Sequence, residues 1–170
     1  MRHRPSPGTI RPRRTERCQM SQEVSIRPAR PDEQALLEAL QRRASLSNPG
    51  DREALLANPD AIALPLEQIA AGRVFVAESA GVVIGFAAVE PRSDGGAELD
   101  ALFVEPHLWK LGIGRRLVDH AADVARLSAA GFLHVVGNPH AEGFYLACGF
   151  RVTGTVETRF GAGLAMRRPL

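Results

Sequence analysis

Short apolar and alternating segments recur along the chain and predict a protein with seven β-strands. Residues 73–78 and 82–89 are rich in valine, alanine and phenylalanine, and the turn sequence Ser79-Ala80-Gly81 separates them. A second turn at residues 91–96 precedes an apolar segment that stops before Pro106, so three strands form an antiparallel meander. The predicted strands are residues 24–27, 73–78, 82–89, 97–104, 132–136, 150–156 and 163–168.

Other segments have apolar residues at helical spacing. A first helix begins at Pro31 and contains Leu36, Leu37 and Leu40. The longest predicted helix, residues 112–129, connects two of the predicted strands. Its expected buried stripe is Leu117, Val118, Ala121, Ala122 and Val124. Asn48-Pro49-Gly50 and Asn58-Pro59 are interpreted as breaks, with a short helix at residues 52–57 between them, and another short helix is predicted at residues 141–148. The order of elements predicts the α+β class: a meander, a strand–helix–strand crossover and a terminal hairpin.

Length and composition limit the class of protein. A chain of 170 residues suits one domain, and its 45% hydrophobic and 24% charged residues are typical of globular proteins. No apolar run is long enough to span a membrane, and no secretory signal is present, so we expect a cytoplasmic protein without membrane partners. Cys18 and Cys148 have no disulfide or metal spacing and are expected to be free thiols. The histidines show no metal-ligand spacing, and His120 is expected to face solvent.

The first residues differ from the rest. Residues 1–19 contain six arginines against Glu16, with three prolines and few apolar residues. This composition predicts a disordered tail at residues 1–22, followed by one domain at residues 23–170. Nucleic-acid contact through the tail is an alternative, but a passive tail, or a true start at Met20, is the favoured interpretation.

A glycine turn carries the first chemical signal. Gly112 and Gly114 lie at the start of the long helix, where free N–H groups and the helix dipole favour an anion. Lys110, Arg115 and Arg116 add positive charge, so a diphosphate ligand is expected. A dinucleotide fingerprint needs a small residue at Leu117, and the Gly-Lys-Ser/Thr of a P-loop is missing. Coenzyme A is therefore favoured over NAD or ATP.

Two motifs resemble the GCN5-related N-acetyltransferase family. The family's pyrophosphate motif, Gln/Arg-x-x-Gly-x-Gly/Ala after Val-x-Pro, is similar to Val104-Glu105-Pro106 followed by Trp109-Lys110-Leu111-Gly112-Ile113-Gly114. Trp109 departs from the usual Gln or Arg. A second signature, Asn-x-x-Ala-x-x-Phe-Tyr-x-x-x-Gly-Phe, matches residues 138–150. The resemblance covers residues 23–168 and is strongest from 97 to 151.

The resemblance implies a fold and a cosubstrate. It implies a mixed central sheet with flanking helices, in which parallel strands at residues 97–104 and 132–136 splay apart into a V-shaped cleft. Acetyl-CoA is expected there, with no metal. The implied cofactor-binding residues are Phe103, Val104, Lys110, Leu111, Gly112, Ile113, Gly114, Arg115 and Asn138.

The resemblance also implies direct transfer of acetyl to a primary amine. Tyr145 matches the general acid and Glu98 is the leading candidate for the base, with Asp100 on the same strand face if no bulge intervenes. The acceptor side is expected at residues 45–65 and 157–163. Its acids Asp51, Glu53 and Asp60 are either attractants for a cationic amine or, as favoured, solvated surface groups. A non-catalytic acyl-CoA sensor is the alternative function. The amine stays open, as does the choice between monomer and homodimer.

Overall fold

The computed structural model describes residues 23–170, which fold around one seven-stranded sheet. The predicted tail at residues 1–22 and Cys18 lie outside the described residues. Along the sheet the strands have the order β1-β2-β3-β4-β5-β7-β6. The strands are β1 Ser25–Pro28, β2 Val74–Ser79, β3 Val82–Pro91, β4 Ala97–Val104, β5 Phe132–Gly137, β6 Arg151–Thr158 and β7 Gly161–Pro169. All seven agree with the predicted strands to within a few residues.

The pairing of the strands confirms the predicted mixed sheet. Strands β1 to β4 are antiparallel to their neighbours, and so are β5, β7 and β6. Between these two groups, β4 and β5 run parallel. The turn between β2 and β3 has positive φ at Ala80 and Gly81, as a tight two-residue hairpin requires.

Five α-helices in the described part of the chain flank the sheet. They are α1 Gln34–Ser47, α2 Pro49–Ala57, α3 Leu66–Ala70, α4 Ile113–Leu127 and α5 Glu142–Ala147. The sequence interpretation missed α3. It also treated residues 48–50 as a break, whereas Asn48 is the N-cap of α2, its side chain accepts from the Gly50 N–H, and Pro49 occupies the first helical position.

The two faces of the sheet bury different helices. On one face α4 packs with Leu117, Val118, Ala121 and Ala122 fully buried, as predicted, and Val124 is half-buried. On the other face α1 buries Leu37 and Leu40 against β2 and β3. Leu36 is exposed, because it lies on the outer side of α1 one residue before the buried stripe.

His120 does not face solvent as expected from the sequence. Its ring is half-buried on α4 and meets the Phe75 ring edge-on, with 4.7 Å between centroids. Its Nε2 is buried without a hydrogen-bond partner among residues 23–170, and burial lowers the pKa of the imidazole. The expected solvent-facing histidine is therefore a packed, neutral side chain at neutral pH.

Within residues 23–170, no helix has the length and apolar content needed to cross a membrane. The same residues contain no cluster of three His, Cys, Asp or Glu side chains suited to a metal ion.

Candidate active site

The sheet opens between β4 and β5. These strands pair only at Ala97 with Leu133 and at Glu98 with His134. Beyond these pairs β4 continues along β3 and β5 continues along β7, so the two strands separate. A cavity of about 430 Å³ lies between them, lined by residues 99–103 on one side and residues 135–138 on the other. The predicted V-shaped cleft is confirmed.

A β-bulge interrupts β4 inside this cleft. Val89 of β3 lies opposite Leu99, and Ala88 lies opposite Ala101, so Asp100 has no partner on β3. The bulge does not separate the two acids: Glu98 lies opposite Glu90, and Gln68 Nε2 contacts both Glu90 and Asp100, so Glu98 and Asp100 still share a face of β4. Asp100 is exposed in the cavity wall, and its carboxylate accepts a hydrogen bond from Gln68 Nε2 at 3.0 Å.

Gln68 is a buried residue of α3 that sequence reasoning missed. The same Nε2 also donates to Glu90 at 2.7 Å, so one amide holds two carboxylates near each other. The Gln68 Oε1 is buried and has no partner among the described residues. No motif in the sequence marks this glutamine, because its contacts depend on how α3 docks against the sheet.

Glu98 lies at the closed end of the cleft. Its carboxylate contacts Arg92 at 2.5 Å and His134 Nδ1 at 2.7 Å, and it does not line the cavity. Arg92 also binds Asp94, whose pKa falls to about 2 because of that guanidinium. The structure thus brings Glu98 into an ion-paired cluster, whereas Asp100 lines the open cavity.

Tyr145 lies on α5 and lines the cavity. It is 9% exposed, and its ring meets those of Phe144 and Phe150 edge-on. The ring packs so tightly on Gly137 that a Cβ there would lie 2.9 Å from Tyr145 Cε2. The Tyr145 hydroxyl has no hydrogen-bond partner among residues 23–170. Burial, then the thiolate that Cys148 forms at high pH, and then the carboxylate of Asp51 raise the pKa of Tyr145 far above its usual range. The hydroxyl therefore carries its proton at neutral pH.

Asn138 uses its side chain within the protein. Its Oδ1 accepts from the His140 N–H at 3.0 Å and caps the short turn that leads into α5. Its Nδ2 donates to the carboxylate of Asp51 on α2. Asn48 donates to the other oxygen of Asp51 at 3.0 Å. Asn138 also lines the cavity, so the predicted contact with the cofactor stays a prediction, while its side-chain hydrogen bond connects the end of β5 to α2.

Gly50 makes this connection possible. A Cβ at Gly50 would lie 2.6 Å from Asn138 Nδ2, closer than real Cβ contacts allow. The glycine lets the backbone at the start of α2 come close to the end of β5. The conjunction Asn48-Pro49-Gly50 was interpreted as a break, but it is a capped helix start that could have been recognised from Asn before Pro.

The glycine turn precedes α4 at the other side of the cleft. Lys110 and Gly112 have φ of 66° and 84°, which places both in the left-handed region. Gly112 is the N-cap of α4, and the space where its Cβ would lie is open. The Gly112 carbonyl accepts from the Arg116 N–H at 3.1 Å, so the N–H groups of the first turn have no acceptor within the helix.

The surroundings of this turn fit a diphosphate. Lys110 and Arg115 are exposed, so their charges can reach an anion at the helix start. A Cβ at Gly114 would lie 3.2 Å from the Phe144 ring, so only a very small residue fits there. Ile113 is buried, and Leu111 is partly buried. These two offer backbone groups rather than side chains.

Trp109 has a role that sequence reasoning left open. Its indole Nε1 donates to the Val104 carbonyl at 2.8 Å, so the side chain connects the glycine turn to the end of β4. The ring is 40% exposed. Trp109 thus stabilises the loop through a hydrogen bond within the protein. The family motif has Gln or Arg at this position.

Cys148 is buried outside the cavity lining, and burial raises the pKa of its thiol. The thiol is therefore protonated at neutral pH. This placement agrees with the expectation of a packed, unreactive cysteine.

The split sheet, the glycine turn and the cavity tyrosine are the parts that the two motifs predicted together. A family model described as the Acetyltransferase (GNAT) family matches residues 35–150, which is more than half of the chain. The chain belongs to the GNAT family, and the predicted membership is confirmed.

Individual relatives show how far this similarity extends. The peptidyl-lysine N-acetyltransferase YjaB of Escherichia coli (strain K12) is 40% identical over 62 residues, which is 36% of this chain and 41% of that protein. The chain thus matches about two fifths of the length of this relative. Among solved structures, PaiA N-acetyltransferase from Thermoplasma acidophilum in complex with coenzyme A has a TM-score of 0.70 at 18% identity, covering 86% of this chain and 99% of that one. A GCN5-related N-acetyltransferase from Rhodopseudomonas palustris has a TM-score of 0.69 at 22% identity, covering 86% and 95%. These structures confirm the fold.

Proposed function

We propose that the protein transfers an acetyl group from acetyl-CoA to a primary amine by direct attack. The observation that carries this proposal is the Tyr145 hydroxyl, which is nine-tenths buried, protonated and without a partner in the cavity between the separated strands. A proton donor in this position suits the departure of a thiolate. The coenzyme A complex of the Thermoplasma acidophilum structure and the name of the Escherichia coli relative support the same chemistry.

Acetyl-CoA supplies an activated thioester. The open N–H groups at Gly112–Gly114, together with Lys110 and Arg115, hold its diphosphate. Backbone N–H groups near Phe103 and Val104, on the β4 edge that β5 leaves open, hold the pantetheine and polarise the carbonyl as an oxyanion hole does. The Trp109 contact to the Val104 carbonyl keeps the turn and this strand end together.

Groups that face the cavity can donate and accept the protons that the reaction requires. The lone pair of the neutral amine attacks the thioester carbon, a C–N bond forms and the C–S bond breaks. Tyr145 gives its proton to the leaving sulfur. The amine nitrogen loses one proton to a base, and solvent returns a proton to Tyr145. A lysine-like amine has a pKa of about 10.4, so its deprotonation costs roughly 4–5 kcal/mol at pH 7 and a base is required.

Asp100 is the better-placed base. It lines the cavity from the bulge of β4, and Gln68 fixes its carboxylate. Glu98, the first candidate from the sequence, is engaged by Arg92 and His134 outside the cavity lining. We assign proton removal to Asp100, acting directly or through one water.

Thiol release from acetyl-CoA across an amine panel tests the function. The panel includes a lysine amide capped at its α-amine, because the Escherichia coli relative is named for peptidyl-lysine. We expect amine-dependent release of free coenzyme A and a mass increase of the amine by one acetyl group. Tight binding of coenzyme A without release for any amine supports the sensor alternative instead. No binding of coenzyme A overturns both.

A further inference from the structure

The charged side chains that line the cavity are all acidic. Twenty-six residues line the cavity, and the charged ones are Asp51 and Asp100. No arginine or lysine of the described residues lines it. Three arginines of the described residues are paired with acids outside the cavity lining: Arg43 with Glu105, Arg73 with Glu90 and Arg159 with Asp60. The two carboxylates therefore face the cavity without a cation of the protein between them.

Asp51 differs from the other acids of its segment. Glu53, two residues later on α2, is exposed and does not line the cavity. Asp60 is exposed and binds Arg159. Asp51 is half-buried in the cavity wall, and each of its two oxygens accepts from one asparagine, Asn48 or Asn138. Both donors are neutral amides, so they fix the carboxylate without cancelling its charge.

Asp51 and Tyr145 face the same space. The charge of Asp51 is one of the causes that raise the pKa of Tyr145, which requires the two groups to be near each other. Under the proposed function, Tyr145 marks where the thioester sulfur departs, and the attacking amine must approach within a few ångströms of that point. An ammonium that enters the cavity therefore meets the fixed carboxylate of Asp51.

We propose that Asp51 is the carboxylate that binds the acceptor ammonium and selects cationic amines that carry no free carboxylate. Side-chain amines of peptide-linked lysine and alkyl diamines belong to this class; free amino acids that react at the α-amine do not. This inference rests on the proposed acetyl transfer. Asn48 and Asn138 are positioning residues, because they hold Asp51 and do not themselves carry charge.

Apolar walls complete the site for such a substrate. Leu55 and Ile62 line the cavity on the helical side and Phe160 lines it from the β6–β7 turn. These side chains suit the methylene chain of a lysine or an alkylamine, whose apolar stem is buried while its charged end is paired. A carboxylate on the substrate would meet Asp51, Asp100 and these apolar surfaces, and none of them offers it a cationic partner.

The test compares amines of similar length and different charge. Thiol release is measured with butylamine, 1,4-diaminobutane, 4-aminobutyrate and a lysine amide capped at its α-amine. We expect kcat/KM for butylamine to exceed that for 4-aminobutyrate by about tenfold to a hundredfold, the range of one hydrogen-bonded charge pair. Equal values for these two amines, or turnover confined to amines that carry a carboxylate, would overturn the inference while acetyl transfer stands. Release with none of the amines, including free amino acids, counts against the proposed function itself.

A variant assigns the selectivity to Asp51. Asp51→Asn should raise KM for butylamine by about tenfold or more while the butylamine to 4-aminobutyrate ratio shrinks, because attraction and repulsion are lost together. Glu53→Gln, on the same helix and outside the cavity lining, is the matched control and should change neither value. Coenzyme A affinity should be unchanged in both variants, which shows that the cofactor half remains folded. An unaltered ratio in Asp51→Asn contradicts the assignment, and if that variant does not fold, the wild-type ratio decides.

Discussion

The side-chain amide of Asn138 donates a hydrogen bond to the carboxylate of Asp51, 87 positions earlier in the chain. This contact joins the end of β5, which forms one wall of the cleft, to α2, whose Asp51 also lines the cavity. Asn138 belongs to a motif that resembles other acetyltransferases, whereas Asp51 belongs to no motif. The contact therefore connects the motif to the carboxylate that we propose binds the acceptor.

Asn138→Ala distinguishes two roles for this asparagine. If the side chain anchors Asp51, KM for a reactive amine should rise by about tenfold, since an unsatisfied buried carboxylate oxygen costs about 1–3 kcal/mol. The dissociation constant of coenzyme A should change by less than about twofold. A large loss of coenzyme A affinity with an unchanged amine KM supports the cofactor contact predicted from the sequence. Isothermal titration and steady-state kinetics give the two quantities.

Tyr145→Phe should lower kcat by about 10²–10⁴, the usual contribution of a positioned proton donor. Phenylalanine keeps the packing on Gly137 and Phe150, so the thermal unfolding temperature should change little. Unchanged turnover, measured with the same amine, removes Tyr145 from the mechanism.

The pH dependence of Tyr145 follows from the same burial. Its pKa is raised in the folded state, so the hydroxyl stays protonated through and beyond the ordinary tyrosine value of about 10. Loss of the tyrosine proton should cause no fall in kcat below that pH. The neutral buried tyrosine also makes the folded protein less stable as pH rises above about 10, because the unfolded chain ionises first. A falling limb below pH 9 that disappears in Tyr145→Phe contradicts the placement.

Asp100→Asn and Glu98→Gln separate the two candidate bases. A carboxylate base must be ionised, so its protonation produces the acidic limb of the pH–rate profile. We expect Asp100→Asn to lower kcat/KM by about 10²-fold or more and to remove this limb. Glu98→Gln should keep the limb and instead lower the thermal unfolding temperature, because Arg92 and His134 lose their partner. The reverse pattern restores Glu98 as the base.

Gly112→Ala tests the diphosphate site against a matched glycine. Gly112 and Gly72 have φ of 84° and 71°, and neither has an atom near the place where a Cβ would lie. Alanine at either position should therefore cost a similar free energy of unfolding, about 1–2 kcal/mol, from left-handed strain. Only Gly112→Ala should weaken coenzyme A binding, because its Cβ occupies the approach of the phosphates to the helix start. Equal coenzyme A affinity in the two variants would show that the diphosphate does not bind at this turn.

Trp109 offers a direct readout of cofactor binding. It is the chain's single tryptophan, it is 40% exposed, and it lies three residues before Gly112. Coenzyme A should change its fluorescence in a saturable manner, whereas pantetheine, which lacks the diphosphate, should change it less. A titration of wild type with both ligands checks this, and Trp109→Phe provides the blank. An unchanged emission at saturating coenzyme A would show that the ligand does not approach the turn.

The strands and turns depend on residues that are close in sequence, so their positions could be predicted from the sequence. The β4 bounds at residues 97–104 agree with the structure, because an apolar segment between a glycine turn and Pro106 permits little else. The glycine turn and Tyr145 were likewise identified from contiguous motifs, since a helix start and a short helix are formed by residues close in sequence.

The remaining features depended on contacts between distant segments. The bulge at Asp100 arises from the register of β4 against β3, and no residue type within the strand marks it. The docking of α3 gives Gln68 its two carboxylate partners, and the approach of α2 to β5 distinguishes Asp51 from the other acids of its segment, Glu53 and Asp60. The sequence by itself determined the seven strands, the longest helix, the glycine turn at its start and the family. The tertiary structure alone decided which carboxylates enter the cavity, because charge and burial at a point in space depend on every segment that meets there.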